Sequence, residues 1–165
     1  MTKNKQQRLA AKAEAEAKGT GSPAIDNRRA RHEFEILETV DAGLVLQGTE
    51  VKSLRRGGGS LAEAYARVRS GEVWLVGMHI APYDPGRIEP HEPLRPRKLL
   101  LHAAEIKRLI AKTQEKGLTI VPLRLFWSRG RAKIALGVAR GKKLHDKRES
   151  VREREARREL ERARR

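Results

Sequence analysis

Two glycine-containing segments come nearest to a motif that could do chemistry. The first, Gly57–Gly59, has the flexibility of a phosphate-binding loop but lacks the Lys-Ser/Thr pair that a P-loop requires. The second runs from Gly137 to Lys142. Its spacer is one residue too short, and Lys143 stands where a P-loop has Ser or Thr. We therefore interpret the first segment as a flexible turn and predict no active site in either.

The histidines and cysteines give no sign of a metal or nucleophilic site. Five histidines are scattered along the chain, and none lies three or four residues from another, the spacing that puts two imidazoles on one helix face. The chain has no cysteine, which excludes disulfides, thiol nucleophiles and cysteine-ligated metals. We expect a non-enzymatic protein with no catalytic residue, no metal and no cofactor.

Positive charge is the strongest signal in the composition. The 165 residues include 37 Lys and Arg against 21 Asp and Glu, which gives a formal net charge of +16. Such a surplus indicates a polyanionic partner, with nucleic acid first among the candidates. Four clusters of basic residues lie along the chain, and each alone would be typical of a solvated face. They are Arg28, Arg29 and Arg31; Lys52, Arg55 and Arg56; Arg95, Arg97 and Lys98; and Lys142, Lys143, Lys147 and Arg148.

No apolar run approaches the ~20 residues of a membrane span, and no signal peptide follows the basic start of the chain. We expect no membrane partner. A cytoplasmic location is consistent with the lack of cysteine.

The two ends of the chain have the composition of arms. Residues 1–24, rich in Ala, Lys and Glu, are predicted to be a disordered N-terminal arm. Residues 146–165 form a basic tail whose large apolar side chains are Val151 and Leu160, too few to pack on a core. Glu–Arg pairs three or four residues apart, at about 0.2–0.5 kcal/mol each, favour a helix without stabilising it in water. We predict a tail that becomes helical on binding.

Residues 25–145 predict one mainly β domain. Alternating apolar residues indicate strands over residues 33–40, 44–46, 64–69, 72–78, 118–127 and 132–138, with turns at 41–43, 70–71 and 128–130. Helices are predicted over 50–56, with Thr49 as the N-cap, and around 106–113, with a left-handed stop at Gly117. About six short strands with two or three short helices favour a small closed antiparallel barrel, because closure hides the strand edges.

The aromatic residues narrow the kind of nucleic acid. There are six, most within predicted strands, where we expect them to point into the core. Single-strand readers stack several bases on exposed rings, so this barrel is better suited to folded RNA bound by phosphate, sugar and shape.

Glu50 and His145 each have two interpretations. Glu50 can stabilise the start of its helix through the helix dipole, or its carboxylate can accept a proton from a base amino group. His145 can be a solvent-exposed spacer or can stack on RNA. The residues alone leave both open.

Four segments, in this order, resemble one known family. They are NRRARHEFEI (Asn27–Ile36), QGTEVKSLR (Gln47–Arg55), KLLLH (Lys98–His102) and GVARGKKLHDKR (Gly137–Arg148). From Asn27 onward the chain is similar to the small protein B, or SsrA-binding (tmRNA-binding), family. The resemblance implies an oligonucleotide-binding-type barrel that binds the tRNA-like domain of transfer-messenger RNA (tmRNA).

The resemblance also implies a role in trans-translation. The protein would deliver tmRNA to the vacant A site of a bacterial ribosome stalled on truncated message, where its body stands in for the missing anticodon arm. The tail would probe the empty mRNA channel of the small subunit, so that the ribosome is rescued and the nascent chain tagged. Elongation factor Tu would join through alanyl-tmRNA, and we expect a monomer. The alternative is a basic ribosomal protein that holds rRNA, with similar arms.

Position by position, Glu50 and Leu100 match RNA contacts of that family, and His102 stands where some members have Asn. The predicted tmRNA-binding set is Glu50, Lys52, Arg55, Leu100, His102, Arg28 and Arg29.

A second set matches the junction near the decoding centre and the tail in the mRNA channel. It comprises Gly141, Lys142, Lys143, His145, Asp146, Lys147, Arg148, Arg152, Arg154, Arg157 and Arg158.

Overall fold

The computed structural model describes residues 22–83 and 89–142. The predicted tail over 146–165, and the predicted N-terminal arm except for its last three residues, lie outside this range. The elements are β1 (Ile25–Asp26), α1 (Arg28–Glu33), β2 (Phe34–Leu44), α2 (Gly48–Arg55), β3 (Gly59–Ser60), β4 (Tyr65–Arg69), β5 (Glu72–Val76), β6 (His79–Ile80), β7 (Arg97–Leu100), α3 (Ala103–Thr113), β8 (Leu118–Ser128) and β9 (Arg131–Gly141).

Six strands close into a ring. The order is β8, β4, β5, β7, β2 and β9, and β9 pairs back with β8. All pairings are antiparallel, so each strand of the ring has a partner on both sides. Outside the ring, β1 pairs with β8, and β3 pairs with β6. The predicted small closed barrel of about six strands with two or three helices is confirmed.

The main core fills the barrel with side chains that alternate along the strands. Leu75, Leu99, Ile120, Ile134 and Leu136 are each at most 2% exposed. A second, smaller cluster lies outside the barrel, beneath α1. Its buried members are Ala30, Val121, Leu123 and Ala139. β8 is therefore buried on both faces over Ile120–Leu123, and β9 over Leu136–Ala139.

The predicted turn at 41–43 is wrong. β2 is one strand that continues to Leu44, with a register shift between Ile36 and Glu38. At Gly43 the strand passes from its partner β9 to its partner β7, where Gly43 lies opposite Leu100. A Cβ at Gly43 would lie 3.2 Å from the Leu100 Cβ, so glycine permits the close approach of β7. The glycine that suggested a turn instead marks a change of partner strand.

Both predicted hairpin turns are confirmed. Ser70 and Gly71 have φ angles of 51° and 74°, and Arg129 and Gly130 have 49° and 74°. Two consecutive left-handed residues give the turn twist that matches the right-handed twist of the flanking strands. The residues described between Ala81 and Pro96 form neither a helix nor a strand, as the prolines in this segment predict.

Sequence reasoning missed α1, because six residues are too short for a helical period to be visible. The helix depends on Asn27, which is 4% exposed. Its Oδ1 accepts from the Ala30 N–H at 3.1 Å and so caps α1. Its Nδ2 donates to the carbonyls of Leu61 and Pro122, both at 2.9 Å. One amide therefore fixes α1 to two distant parts of the barrel.

The two predicted helices begin earlier than expected. α2 starts at Gly48 with Gln47 as its N-cap, so the prediction of Thr49 as the cap is wrong. The Thr49 hydroxyl instead hydrogen-bonds His91 Nδ1 at 3.0 Å. α3 starts at Ala103 and ends with Gln114 as its C-cap. Gly117 is left-handed, with φ +82°, but lies three residues beyond that cap, in the turn before β8.

Asn27→Ala should destabilise the barrel by about 2–4 kcal/mol, because it removes a helix cap and leaves two buried carbonyls without donors. Urea unfolding measures this change. The control Arg28→Ala alters an exposed side chain of the same helix and should stay within about 0.5 kcal/mol of the unaltered protein. Equal stability of the two variants would contradict the role given to Asn27.

Candidate nucleic-acid interface

The basic helix α2 is fixed to the barrel by one face. Glu50, Ser53 and Leu54 are its buried residues, and they lie at i, i+3 and i+4. Leu54 enters the main core, and the Ser53 hydroxyl donates to the Ala81 carbonyl at 2.6 Å. This spacing was a signal in the sequence that Glu50 points inward.

Glu50 is the centre of a buried ion cluster. Its side chain is fully buried and accepts from two arginines. Arg95 binds it in a bidentate manner, with Nε 2.9 Å from Oε1 and Nη2 2.6 Å from Oε2. Arg97 donates from Nε to Oε1 at 2.9 Å, and the Gln47 backbone N–H donates to Oε2 at 2.7 Å. The carboxylate therefore caps α2 and joins it to the segment before β7.

Arg97 is also fully buried and well satisfied. Its Nη2 donates to the Pro93 carbonyl at 3.0 Å, and Nη1 donates to the Met78 carbonyl. Burial lowers the pKa of Arg97, while Glu50 opposes this change. Burial would raise the pKa of Glu50, but hydrogen bonds from Arg95, Gln47 and Arg97 outweigh it and hold that pKa below its usual value. Glu50 is thus charged at neutral pH.

These contacts change two sequence interpretations. Arg95, Arg97 and Lys98 do not form a surface cluster, because Arg97 is buried, Arg95 binds Glu50, and Lys98 pairs with Glu72. Glu50 does serve the start of its helix, as one interpretation held. The structure places its carboxylate on protein donors in the interior.

Three cations on the outer side of α2 and at its C-cap each lie over an aromatic ring. Lys52 Nζ lies 5.6 Å and Arg56 Cζ 4.7 Å from the centroid of Tyr83, and Arg55 Cζ lies 5.3 Å from that of Trp127. Cation–π contact restricts these long side chains while leaving them exposed. The helix therefore presents three ordered positive charges to solvent.

Leu100, the last residue of β7, and His102, two residues further along the chain, are both exposed. Leu100 is 54% exposed on the outer face, where its neighbour Gly43 has no side chain to cover it. His102 is exposed at the N-cap of α3, and its backbone N–H donates to Glu105 Oε2 at 2.8 Å. An apolar side chain this exposed is available to a partner.

Arg28, Arg29, Gly141 and Lys142 form a separate group beside α1. Arg29 pairs with Glu33 at 2.9 Å and also with Glu63. The Lys142 N–H donates to the Glu33 carbonyl at 2.9 Å, which holds the last described residue against the end of α1. The other predicted decoding-centre and channel residues, from Lys143 onward, lie outside the described residues.

The barrel keeps these two basic groups apart. Trp127, beneath Arg55, pairs with Ala132, whereas Gly141 pairs with Phe34 at the other end of β9. At ~3.3 Å per residue, the strand between Ala132 and Gly141 is about 30 Å long. The predicted RNA-binding set is therefore split: α2 and Leu100 lie towards one end of β9, whereas Arg29 pairs with Glu33, whose carbonyl accepts from Lys142 at the other end.

The expectation that most aromatic rings point into the core is also wrong. Of the six, Phe126 and Trp127 are buried, but Tyr65 is 43% exposed and Trp74 is half-buried on the outside of the barrel. Strand alternation was the signal: Ala66 and Val73 point inward, so Tyr65 and Trp74 must point outward.

A groove of about 570 Å³ lies between α1, α3 and the outer face of β2 and β8. Its charged lining is balanced, with three arginines and three acids: Arg31, Arg108, Arg124, Glu38, Asp41 and Glu105. Arg108 and Glu38 pair at 2.8 Å. Such a lining lacks the excess positive charge that phosphate binding needs, which α2 has.

Within residues 22–83 and 89–142, no three His, Asp or Glu side chains come close enough together to hold a metal ion. In the same part of the chain, no helix has the length and apolarity to cross a membrane.

A closed antiparallel barrel with ordered cations on an end helix and a basic extension defines a class, the small nucleic-acid-binding barrel proteins. Comparison with known proteins identifies the family within this class. The sequence model of the family described as SmpB protein matches residues 24–165.

Individual relatives agree with the family match. The SsrA-binding protein of Desulforudis audaxviator is 58% identical over 137 residues, which cover 83% of this chain and 90% of the relative. That of Syntrophomonas wolfei is 56% identical over 147 residues, covering 88% and 94%. A chain of the solved structure "tmRNA-SmpB: a journey to the center of the bacterial ribosome" is 50% identical with a TM-score of 0.65, covering 79% of this chain and 96% of that one. The chain belongs to the SmpB family, and the resemblance read from its motifs is confirmed.

Glu50→Gln should destabilise the protein by about 3 kcal/mol at pH 7, because two arginines lose their buried counter-charge. Since the pKa of Glu50 is lowered in the folded state, its stabilisation is present above the ordinary glutamate pKa of about 4.3 and is lost as the pH falls through the lowered value. The difference between the variant and the unaltered protein should therefore shrink below about pH 4, as followed by urea unfolding at each pH.

The matched control is Glu72→Gln, which breaks the half-exposed pair with Lys98 and should cost less than about 1 kcal/mol. A difference between Glu50→Gln and the unaltered protein that is as large at pH 3 as at pH 7 would contradict the ionic role of Glu50.

Proposed function

We propose that this chain is a tmRNA-binding adaptor that acts in trans-translation on stalled bacterial ribosomes. The observation that carries the proposal is the separation of two basic surfaces, α2 near one end of β9 and the root of the tail at the other. An adaptor that joins an RNA to a ribosome needs two such surfaces, because one polyanion would otherwise compete with the other for the same cations.

The end of the barrel that carries α2 binds the tRNA-like domain of tmRNA. Lys52 and Arg55 supply cations already ordered by aromatic rings, which reduces the entropy lost on binding phosphate. Leu100 offers an exposed apolar contact nearby, and His102 an exposed ring. Glu50 acts on this surface by holding α2 in place from inside.

The root of the tail faces the ribosome. Gly141 and Lys142 lie at that end, where the Lys142 N–H donates to the carbonyl of Glu33, the partner of Arg29, and they lead into the basic residues that follow. Residues 143–165 carry ten Lys and Arg against six Asp and Glu, with helix-favouring Glu–Arg pairs. In the empty mRNA channel, the phosphate lining supplies the attraction that folds this segment into a helix.

The remaining parts of the proposal rest on the resemblance to the SmpB family. Elongation factor Tu contacts the complex through alanyl-tmRNA, and the protein itself is a non-enzymatic monomer of the cytoplasm, where ribosomes are found. The relatives are SsrA-binding proteins, so the comparisons favour this role over that of a permanent rRNA-binding ribosomal protein.

Deleting residues 149–165 should leave the affinity for the isolated tRNA-like domain within about threefold of the full chain, because α2 is untouched. The same deletion should abolish tagging of nascent chains on ribosomes stalled at the end of a truncated message. Filter binding measures the first quantity, and a reconstituted rescue reaction measures the second.

The complementary variant replaces Lys52, Arg55 and Arg56 by alanine and keeps the tail. It should lose RNA affinity by an order of magnitude or more, since each lost phosphate contact weakens binding. Equal loss of RNA binding in both variants would refute the division between barrel and tail.

A further inference from the structure

One outer face of the barrel combines exposed aromatic and apolar side chains with cations. We call it the aromatic face; it consists of Tyr65, Arg67, Trp74, Val76, Lys98 and Leu100, on β4, β5 and β7. Five large apolar residues are at least 42% exposed in the described chain, and three of them, Tyr65, Leu100 and the adjoining Val45, lie on or beside this face. Such a concentration indicates an interaction surface.

The strand registers place two cations on either side of one indole. Arg67 lies directly opposite Trp74, and Trp74 lies directly opposite Lys98. Residues directly opposite in neighbouring strands have Cβ atoms about 5 Å apart. The row across three strands is therefore arginine, tryptophan, lysine, with the ring in the middle.

Tyr65 adds a second ring. It lies two residues before Arg67 on the same side of β4, and so is the diagonal neighbour of Trp74. On the side of the Arg67–Trp74–Lys98 row away from Tyr65, the same registers place three residues side by side: Arg69, Glu72 and Leu100. With Lys98 paired to Glu72, the face keeps a net positive charge from Arg67 and Arg69.

We propose that the aromatic face binds unpaired bases of RNA, with Trp74 and Tyr65 as stacking platforms and Arg67 and the neighbouring Arg69 as phosphate contacts. The proposal rests on the proposed tmRNA-binding function and deepens it, because the face adjoins Leu100 and so continues the RNA-binding end of the barrel. Rings that alternate with cations suit an RNA strand, in which bases alternate with phosphates. An acidic protein surface would not require flat rings at this spacing.

The inference revises how the barrel recognises RNA. Phosphate and shape recognition by α2 suits paired RNA, whereas the aromatic face selects loops whose bases are free to stack. The two together favour a folded RNA with a loop beside a helix, such as the tRNA-like domain.

The test compares Trp74→Leu with Trp74→Phe. Both keep an apolar side chain on the strand, but only phenylalanine keeps a ring. Binding of the tRNA-like domain should weaken about tenfold for Trp74→Leu and stay near that of the unaltered protein for Trp74→Phe. Tyr65→Leu and Tyr65→Phe should behave in the same way. On a fully paired RNA duplex of equal length, all four variants should match the unaltered protein.

Salt dependence and fluorescence give independent readouts. Trp74→Leu should leave the slope of log K against log salt unchanged, whereas Arg67→Ala should make it shallower by about one unit. The chain has two tryptophans, and Trp127 is buried. RNA should therefore quench the fluorescence of the unaltered protein but not that of Trp74→Phe. This comparison holds even if a leucine variant fails to fold.

Three results would overturn the proposal. If both leucine variants bind the tRNA-like domain normally, the face is not an RNA site, although the proposed function stands. If they bind the RNA normally but attach less well to ribosomes without RNA, the occupant is a ribosomal component. If the unaltered protein does not bind the tRNA-like domain at all, the proposed function fails together with this inference.

Discussion

The buried carboxylate of Glu50 is the group on which the position of α2, and with it the proposed binding surface, depends. Two arginines and a backbone N–H converge on it in the interior, and it belongs to the helix that carries Lys52 and Arg55 and is capped by Arg56. Removing one member of a buried ion cluster leaves the others without a counter-charge, so the cluster is strongly constrained as a unit. By fixing α2, this cluster holds Lys52, Arg55 and Arg56 at defined positions on the outside of the barrel.

The closed barrel turns this local order into a division between two surfaces. Long strands β8 and β9 run from Trp127 and Ala132, beneath α2, to Leu118 and Gly141, beside α1. Asn27 fastens the start of α1 to the barrel midway along β8, through bonds to Leu61 and Pro122. In the proposed adaptor, the barrel is a rigid spacer between α2 and the tail, so that the protein sets the distance between its two partners.

Much of this could be predicted from the sequence. Strand alternation, glycine-containing turns and the charge surplus gave the barrel, both hairpins and the class of partner, because these depend on local patterns. The change of partner at Gly43 could not be seen, since it depends on β7, more than 50 residues away. The same holds for Arg97, whose burial is explained only by the carboxylate it meets across the fold. Short elements such as α1 were missed because tertiary contacts at Asn27, and not helical periodicity, stabilise them.

Long-range contacts also decided which charges face outward. Arg95, Arg97 and Lys98 look alike in the sequence as a basic cluster, yet one is buried and the other two bind acids. By contrast, the inward position of Glu50 followed the i, i+3, i+4 spacing with Ser53 and Leu54 and was available from the sequence. Charge counts therefore indicate a nucleic-acid-binding protein, whereas the pairing of charges in the fold shows which of its cations are neutralised by acids.

In the proposed function, Glu50 serves RNA binding by positioning α2. The most direct measurement is a double-mutant cycle on affinity for the tRNA-like domain, combining Glu50→Gln with alanine at Lys52, Arg55 and Arg56. If Glu50 acts through the cations of α2, its substitution should matter little once they are gone, with a coupling energy of about 1 kcal/mol or more. An equal loss of affinity from Glu50→Gln with and without the cations would contradict the account.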